Sequence, residues 1–365
     1  MKIVLLWCII LFTTSLHAQR FSNNKEKFIK ELGKSFPSES FQRFLKKDYA
    51  PFLLKSGLNS SEFEQLTRRC NYLYDQDFSA IDIMALVQVS LDQKKSVFPA
   101  SFVSGWHGLF DSKTNKKDKD ILHEFITFSH DFFNEFSFHT EGNHKWVYNG
   151  GAPRWVIHKS GPQVHISNTN LKCFVYQSGP VDSIVVLKTS GYFDLRKKRW
   201  QGRGGTITWE KVNFPKEETY AEIRGYTLDA RESILKVDTV ALTTPYFEEP
   251  ILGRLKDKTL FNLKLGESSP IFNSFEKRLK IEGLRDQLDY DGGFSLQGAD
   301  FIGTGEPGNL AKVVLHYKDR ELFEVRALKF LMNPEQIIAR DADVSMHYVG
   351  GDSLYAKNTL FCLLY

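Results

Sequence analysis

The chain has 365 residues, 42% apolar and 14% aromatic, with 30 phenylalanines, which supplies a core and excludes a disordered polymer. Its formal charge is +4, and removing Lys2 with the leader described below lowers it to +3, too small a balance at this length to point to nucleic acid. The length implies two or more domains, at about 100–200 residues each.

The first element is MKIVLLWCIILFTTSLHAQ: one charge at Lys2, an apolar run from Ile3 to Phe12, then polar residues ending in Ala18. This three-part layout is that of a secretory signal peptide over residues 1–18, with cleavage between Ala18 and Gln19. The apolar run is shorter than the roughly 20 residues a membrane span needs. The expected mature chain is exported, periplasmic, outer-membrane-associated or extracellular, and not an integral membrane protein. It keeps Cys70, Cys173 and Cys362 with no CxxC or Cys/His spacing, so neither a zinc site nor a disulfide framework is indicated. One bridge, or buried free thiols, are both open readings.

From Asn24 to about Phe138 the apolar residues recur at helical spacing. Ser60-Ser61 precedes the stripe Phe63, Leu66, Cys70, Leu73, which predicts a serine-capped helix. Ser79 and Asp82 form a capping-box-like start before Ile83, Leu86 and Val87. The longest run, from near Asp118, carries Leu122, Phe125, Ile126, Phe132, Phe133 and Phe136. Pro37, Pro51, Pro99, Gly57 and Gly105 punctuate these runs. The expectation is a helical domain of about five helices over residues 19–145.

After Trp146 the pattern turns to alternation and β-branched residues between glycine-rich turns. Lys172–Tyr176, Ser183–Leu187, Thr206–Trp209 and Lys312–Tyr317 read as strands, and Glu222–Leu242 as a hairpin. Residues 146–365 form the expected β region. Within it, Phe193-x-Leu195-x4-Trp200-x-Gly202-x-Gly204 repeats as Phe294-x-Leu296-x4-Phe301-x-Gly303-x-Gly305 with every spacing kept. Ile166 and Tyr176, ahead of Asp182-Ser183, correspond likewise to Ile338 and Tyr348, ahead of Asp352-Ser353. A fixed frame changes the meaning of a local motif. Phe193 and Leu195 share one strand face, and the alternate glycines permit close backbone approach or a bulge.

Arg196, Lys197, Lys198 and Arg199 fill the variable slot of that frame, and with Trp200 and Trp209 they are the candidate ligand contacts. The cations and glycines could cradle an anion, and the two tryptophans could stack on a sugar ring. The motif lacks a Gly-Lys-Ser/Thr ending and precedes a strand, so it is no nucleotide loop. His123, His130, His139 and His144 lack the i, i+4 spacing of a helical metal site. Glu248-Glu249 and Asp289/Asp291 read as turn or edge residues, and no nucleophile elbow occurs. The sequence assigns no catalytic, cofactor or metal residue.

The leader, the helical part and the runs DSIVVLKTSGYFDLRKKRWQGRGGTITWEK, YDGGFSLQGADFIGTG and GGDSLYAKNTLF resemble large exported β-repeat proteins of Bacteroidota-type bacteria. The resemblance covers mainly residues 165–365 and implies a location and an elongated β architecture, with no site residues. The expected fold class is α+β: the helical domain, then a β-repeat region, either a solenoid or curved antiparallel sheet units. Because LFCLLY ends on an apolar strand, the region is expected to be truncated, with an unpaired edge there. The expected function is a non-catalytic envelope or cell-surface scaffold or adhesion protein whose partners are other envelope proteins. The alternative is a polysaccharide- or lipid-binding module on a sheet face.

Overall fold

The structure is a computed structural model that describes residues 21–55, 57–95, 97–115, 119–159, 161–175, 183–259, 269–285, 287–318, 320–333, 335–348 and 351–364. The signal peptide, Tyr176 and Asp182 lie outside these residues. Two compact units result, residues 1–135 and 136–365.

The first unit is helical, as its periodicity predicts: α1 (Lys25–Ser35), α2 (Glu39–Phe44), a π turn (Leu45–Tyr49), α3 (Ala50–Lys55), α4 (Ser60–Asp75), α5 (Ala80–Lys95), α6 (Ala100–Asn115) and α7 (Lys119–Glu135). The cap of α4 is Asn59, not a serine. Asn59 Oδ1 accepts from the Glu62 amide at 2.9 Å, and Glu62 Oε2 accepts from the Asn59 amide at 3.0 Å, a full capping box. Ser79 and Asp82 cap α5 as expected, with bonds of 3.1 and 3.2 Å between side chains and amides. The phenylalanines of α7 pack on α6: Trp106 stacks on Phe125 at 5.6 Å, and Phe102 lies 5.5 Å from Phe132. No helix among the described residues is long and apolar enough to cross a membrane.

The second unit begins earlier than residue 146. The strands β1 (Ser137–Glu141) and β2 (His144–Asn149) form a hairpin that joins the sheet through β4 (Gly161–Val175), which also pairs with β3 (Arg154–His158). Thus residues 136–145, read from the sequence as the end of the helical domain, belong to the β unit. His139 lies within β1 and His144 opens β2, and strands of five and six residues are too short for alternation to stand out in the sequence.

β5 (Ser183–Asp194) pairs with β4 on one edge and with β6 (Arg199–Arg203) and β7 (Thr206–Thr208) on the other. Residues 222–242 are not a hairpin. They cover β8 (Tyr220–Ile223), β9 (Gly225–Asp229) and β10 (Ile234–Thr243), and the chain changes partner at Arg224: β8 pairs with β7 and β10, β9 with β6. The strands β11 (Ile251–Lys258), β12 (Ile271–Ser274) and β13 (Leu279–Arg285) lead to β14 (Leu288–Gln297). The remaining strands are β15 (Asp300–Thr304), β16 (Ala311–Tyr317), β17 (Arg320–Ala327), β18 (Lys329–Met332), β19 (Gln336–His347) and β20 (Ser353–Leu364).

The connections repeat. β14 pairs with β15 and β16, β15 with β18, β16 with β17, and both β17 and β18 with β19, closing a six-stranded ring. In the same order β5 pairs with β6 and β7, β6 with β9, β7 with β8, and β8 with β10; β9 packs beside β10, but no ladder joins them among the described residues. The closed ring makes the region something other than a plain solenoid. The two hairpins that share the Phe-x-Leu spacing also differ in register: Phe193 faces Trp200, whereas Leu296 faces Phe301. The first therefore has a four-residue turn and the second a two-residue turn, because two residues move from loop to strand without changing the spacing.

The second correspondence survives as geometry. The β4–β5 and β19–β20 hairpins each break register, near Thr169 and near Ala342. At those breaks Asn168, Lys188, Asp341 and Asn358 all take the left-handed conformation, with φ of 50–52°. Paired bulges of this kind bend a long hairpin so that its two halves serve different neighbours.

Candidate functional site

Arg199 opens β6, and the other three cations of the basic slot, Arg196, Lys197 and Lys198, lie in the four-residue turn between β5 and β6. Buried Asp194 organises it, its Oδ1 accepting from the amides of Arg196 and Lys197 at 3.1 and 3.0 Å. Arg199 reaches Asp229 at 3.3 Å, and Arg231 reaches the same carboxylate. Arg231 foremost, then Arg199, holds Asp229 below the usual carboxylate range. Arg196, Lys197 and Arg199 face solvent, as a hairpin turn requires.

Trp200 and Trp209 are fully buried, which corrects their reading as ligand contacts: neither presents a ring face to a sugar. Trp200 packs 5.3 Å from Phe138 over Gly191, where a Cβ would come within 2.8 Å of the indole. Strand alternation alone could not separate the core face from the solvent face here.

The histidines are individually engaged. His123 Nδ1 meets Asp82 at 2.5 Å, His130 meets Asp131 at 3.1 Å, and His139 meets Glu141 at 3.0 Å. Among the described residues no group of three or more His, Cys, Asp or Glu is placed to hold a metal. Of the carboxylates, Asp289 bonds His316 at 3.0 Å and Asp291 bonds Arg278 at 2.6 Å, while Glu248 and Glu249 lie exposed in a turn.

A cavity of about 430 Å³, of which no local sequence pattern is a sign, lies in the helical unit, bounded by α4, α5 and α6. Leu66, Leu86, Phe98, Val103 and Trp106 line it, with Arg69 and His107 at its polar end. Arg69, on the apolar face of α4, is buried, and its guanidinium bonds both Asp111 oxygens at 2.9 and 3.0 Å. It lies over the rings of Phe110 and Trp106, at 5.0 and 5.5 Å. Its Nη1 donates to His107 Nδ1 at 2.6 Å, which leaves the His107 proton on Nε2. Burial first, and then the Arg69 charge, depresses the His107 pKa to about 4. At the rim Glu62 accepts from Lys94 at 2.7 Å. Ser90 and Ser104 donate to the carbonyls of Val87 and Ser101, so their hydroxyls are engaged as helix back-bonds rather than paired with a base.

The remaining feature is β20. Its inner edge pairs with β19 from Gln336↔Leu364 to His347↔Ser353, and among the described residues no strand pairs with its outer edge. Leu354, Tyr355, Leu360 and Leu364 are each more than half exposed. Comparison with protein families, with curated proteins and with solved structures finds no match to this chain.

Proposed function

We propose that the chain is a non-catalytic scaffold or adhesion protein of the cell envelope, exported through its leader and built from curved antiparallel β units. The observation that carries this reading is one order of strand pairings used twice, closed into a six-strand ring only in the second copy among the described residues, with apolar side chains buried in both. In the second, Leu288, Tyr290, Leu296, Phe301, Val313, Val325 and Phe330 are buried, and Phe294 meets Phe301 at 4.8 Å. A repeated unit with a packed interior spends its sequence on stacking and presents its outer surface to partners.

Expression with the native leader in a Gram-negative host tests export. The expected product begins at Gln19 and is found in the periplasm, the outer-membrane fraction or the medium; an uncleaved chain in the cytosol refutes it. Glycan arrays and lipid pull-downs test the scaffold role, since saturable binding there replaces it with a carrier role. The amphipathic cavity beside Arg69 favours that second reading, with a small amphipathic ligand in the helical unit rather than on a sheet face.

A further inference from the structure

β20 is the structural counterpart of β5. Both open with Ser, at 183 and 353, and both bulge at a left-handed residue followed by threonine: Lys188-Thr189 and Asn358-Thr359. Each forms a long hairpin with the strand before it, in which Ile166 faces Gly191 and Ile338 faces Cys362. In β5 the outer edge is covered by β6 and β7, and Ile184 is fully buried; its counterpart Leu354 is 54% exposed.

The distal half of β20 matches β14 more closely. Phe361 and Leu363 repeat the spacing of Phe294 and Leu296, and the matching inner edges are occupied alike, Leu296 facing Phe272 and Leu363 facing Ile337. On its outer edge Phe294 faces Gly303, and Leu296 faces Phe301. The strand complementary to a Phe-x-Leu edge is thus written in this molecule as the aromatic-x-Gly of Phe301-x-Gly303, whereas Trp200-x-Gly202 meets β5 in another register, Trp200 facing Phe193 and Gly202 facing Gly191. Exposed edges are ordinarily blunted by charge, proline or brevity. β20 runs for 12 residues with Lys357 as its one charge and no proline.

We infer that the outer edge of β20 accepts an added antiparallel strand from a partner polypeptide, an extended segment bearing an aromatic residue followed two positions later by glycine. The added strand satisfies the free amides and carbonyls of the edge, and its aromatic side chain covers Leu363 while glycine clears Phe361. The inference deepens the scaffold reading and rests on it for the class of partner, polypeptide rather than glycan or lipid.

The test uses the full chain and a synthetic peptide of residues 298–305, GADFIGTG, read by hydrogen exchange of the amides in 353–364. Saturable protection of that strand is expected, with binding weakened at least about tenfold when the peptide carries Phe301→Ala. Absence of protection at millimolar peptide, or equal protection by a scrambled peptide, overturns the inference. So does protection that arises from dimerisation of the chain alone, because the occupant is then a second copy. The scaffold reading stands or falls separately, on the fractionation and glycan experiments.

Discussion

The ring of Tyr226 fills the space that a side chain on Gly202 would need, and the two residues lie directly opposite one another in the β6–β9 ladder. The Tyr226 hydroxyl lies 3.0 Å from Thr189 Oγ1, which donates to the Gly204 carbonyl at 2.8 Å. The ring therefore cannot swing aside without losing its bond to Thr189, the residue that also holds the Gly204 carbonyl. Gly202→Ala is expected to cost about 1–3 kcal/mol through overpacking. Gly204 has φ 65° and open space around its Cα, so Gly204→Ala should cost only the left-handed strain, about 1 kcal/mol. Denaturant titrations followed by tryptophan fluorescence compare the two, and equal losses would contradict the packing account.

Asp194, not the cations, holds the β5–β6 turn. Replacing Arg196, Lys197 and Lys198 together by serine is expected to change stability by less than about 0.5 kcal/mol, the usual result for solvated side chains. Asp194→Ala strands two turn amides and should cost about 1–3 kcal/mol. Thermal melts of the two variants decide the matter; a larger loss from the serine variant would return the basic slot to the list of organising elements.

The contrast between Asp194 and its cationic neighbours also shows what the sequence could and could not convey. Helical stripes, the Ser79–Asp82 cap, the strand cores and the Phe-x-Leu frame are local patterns, and each was legible because its period is set by backbone geometry. The partner exchange at Arg224, the shift between Phe193↔Trp200 and Leu296↔Phe301, and the burial of Trp200 and Trp209 depend on which strands meet, which spacing does not record. The cavity beside Arg69 was invisible for a related reason. Arg69, His107 and Asp111 lie on two helices whose approach is a tertiary fact, and an arginine on an apolar stripe was its only local trace.

His107 makes stability depend on pH. Its folded pKa of about 4 lies below the roughly 6.5 of an unfolded histidine. Between those values the unfolded chain binds a proton that the folded chain excludes, so the contribution is fully present above about pH 6.5 and is lost as pH falls toward 4. Partial exposure reduces its size to about 1–3 kcal/mol. His107→Gln keeps an acceptor for Arg69 and removes the titration. The difference between wild-type and variant stabilities should therefore change across pH 6.5 to 4 and be flat above it; a difference that is flat throughout excludes this role.

Thiol labelling separates the three cysteines and, with them, the two units. Cys362 is exposed on β20, whereas Cys70 and Cys173 are fully buried, and burial pushes the Cys70 thiol well above its usual range. In the native chain lacking residues 1–18, one thiol should react quickly, and Cys362→Ser should abolish that phase. Cys70 lies in the core of α4, and Cys173 lies in β4 between Trp146 and Ile184, so each becomes reactive only when its own unit opens. Because each unit has its own core, the two thiols should become reactive at different denaturant concentrations. A single shared midpoint would instead mean that the helical and β units unfold as one cooperative body.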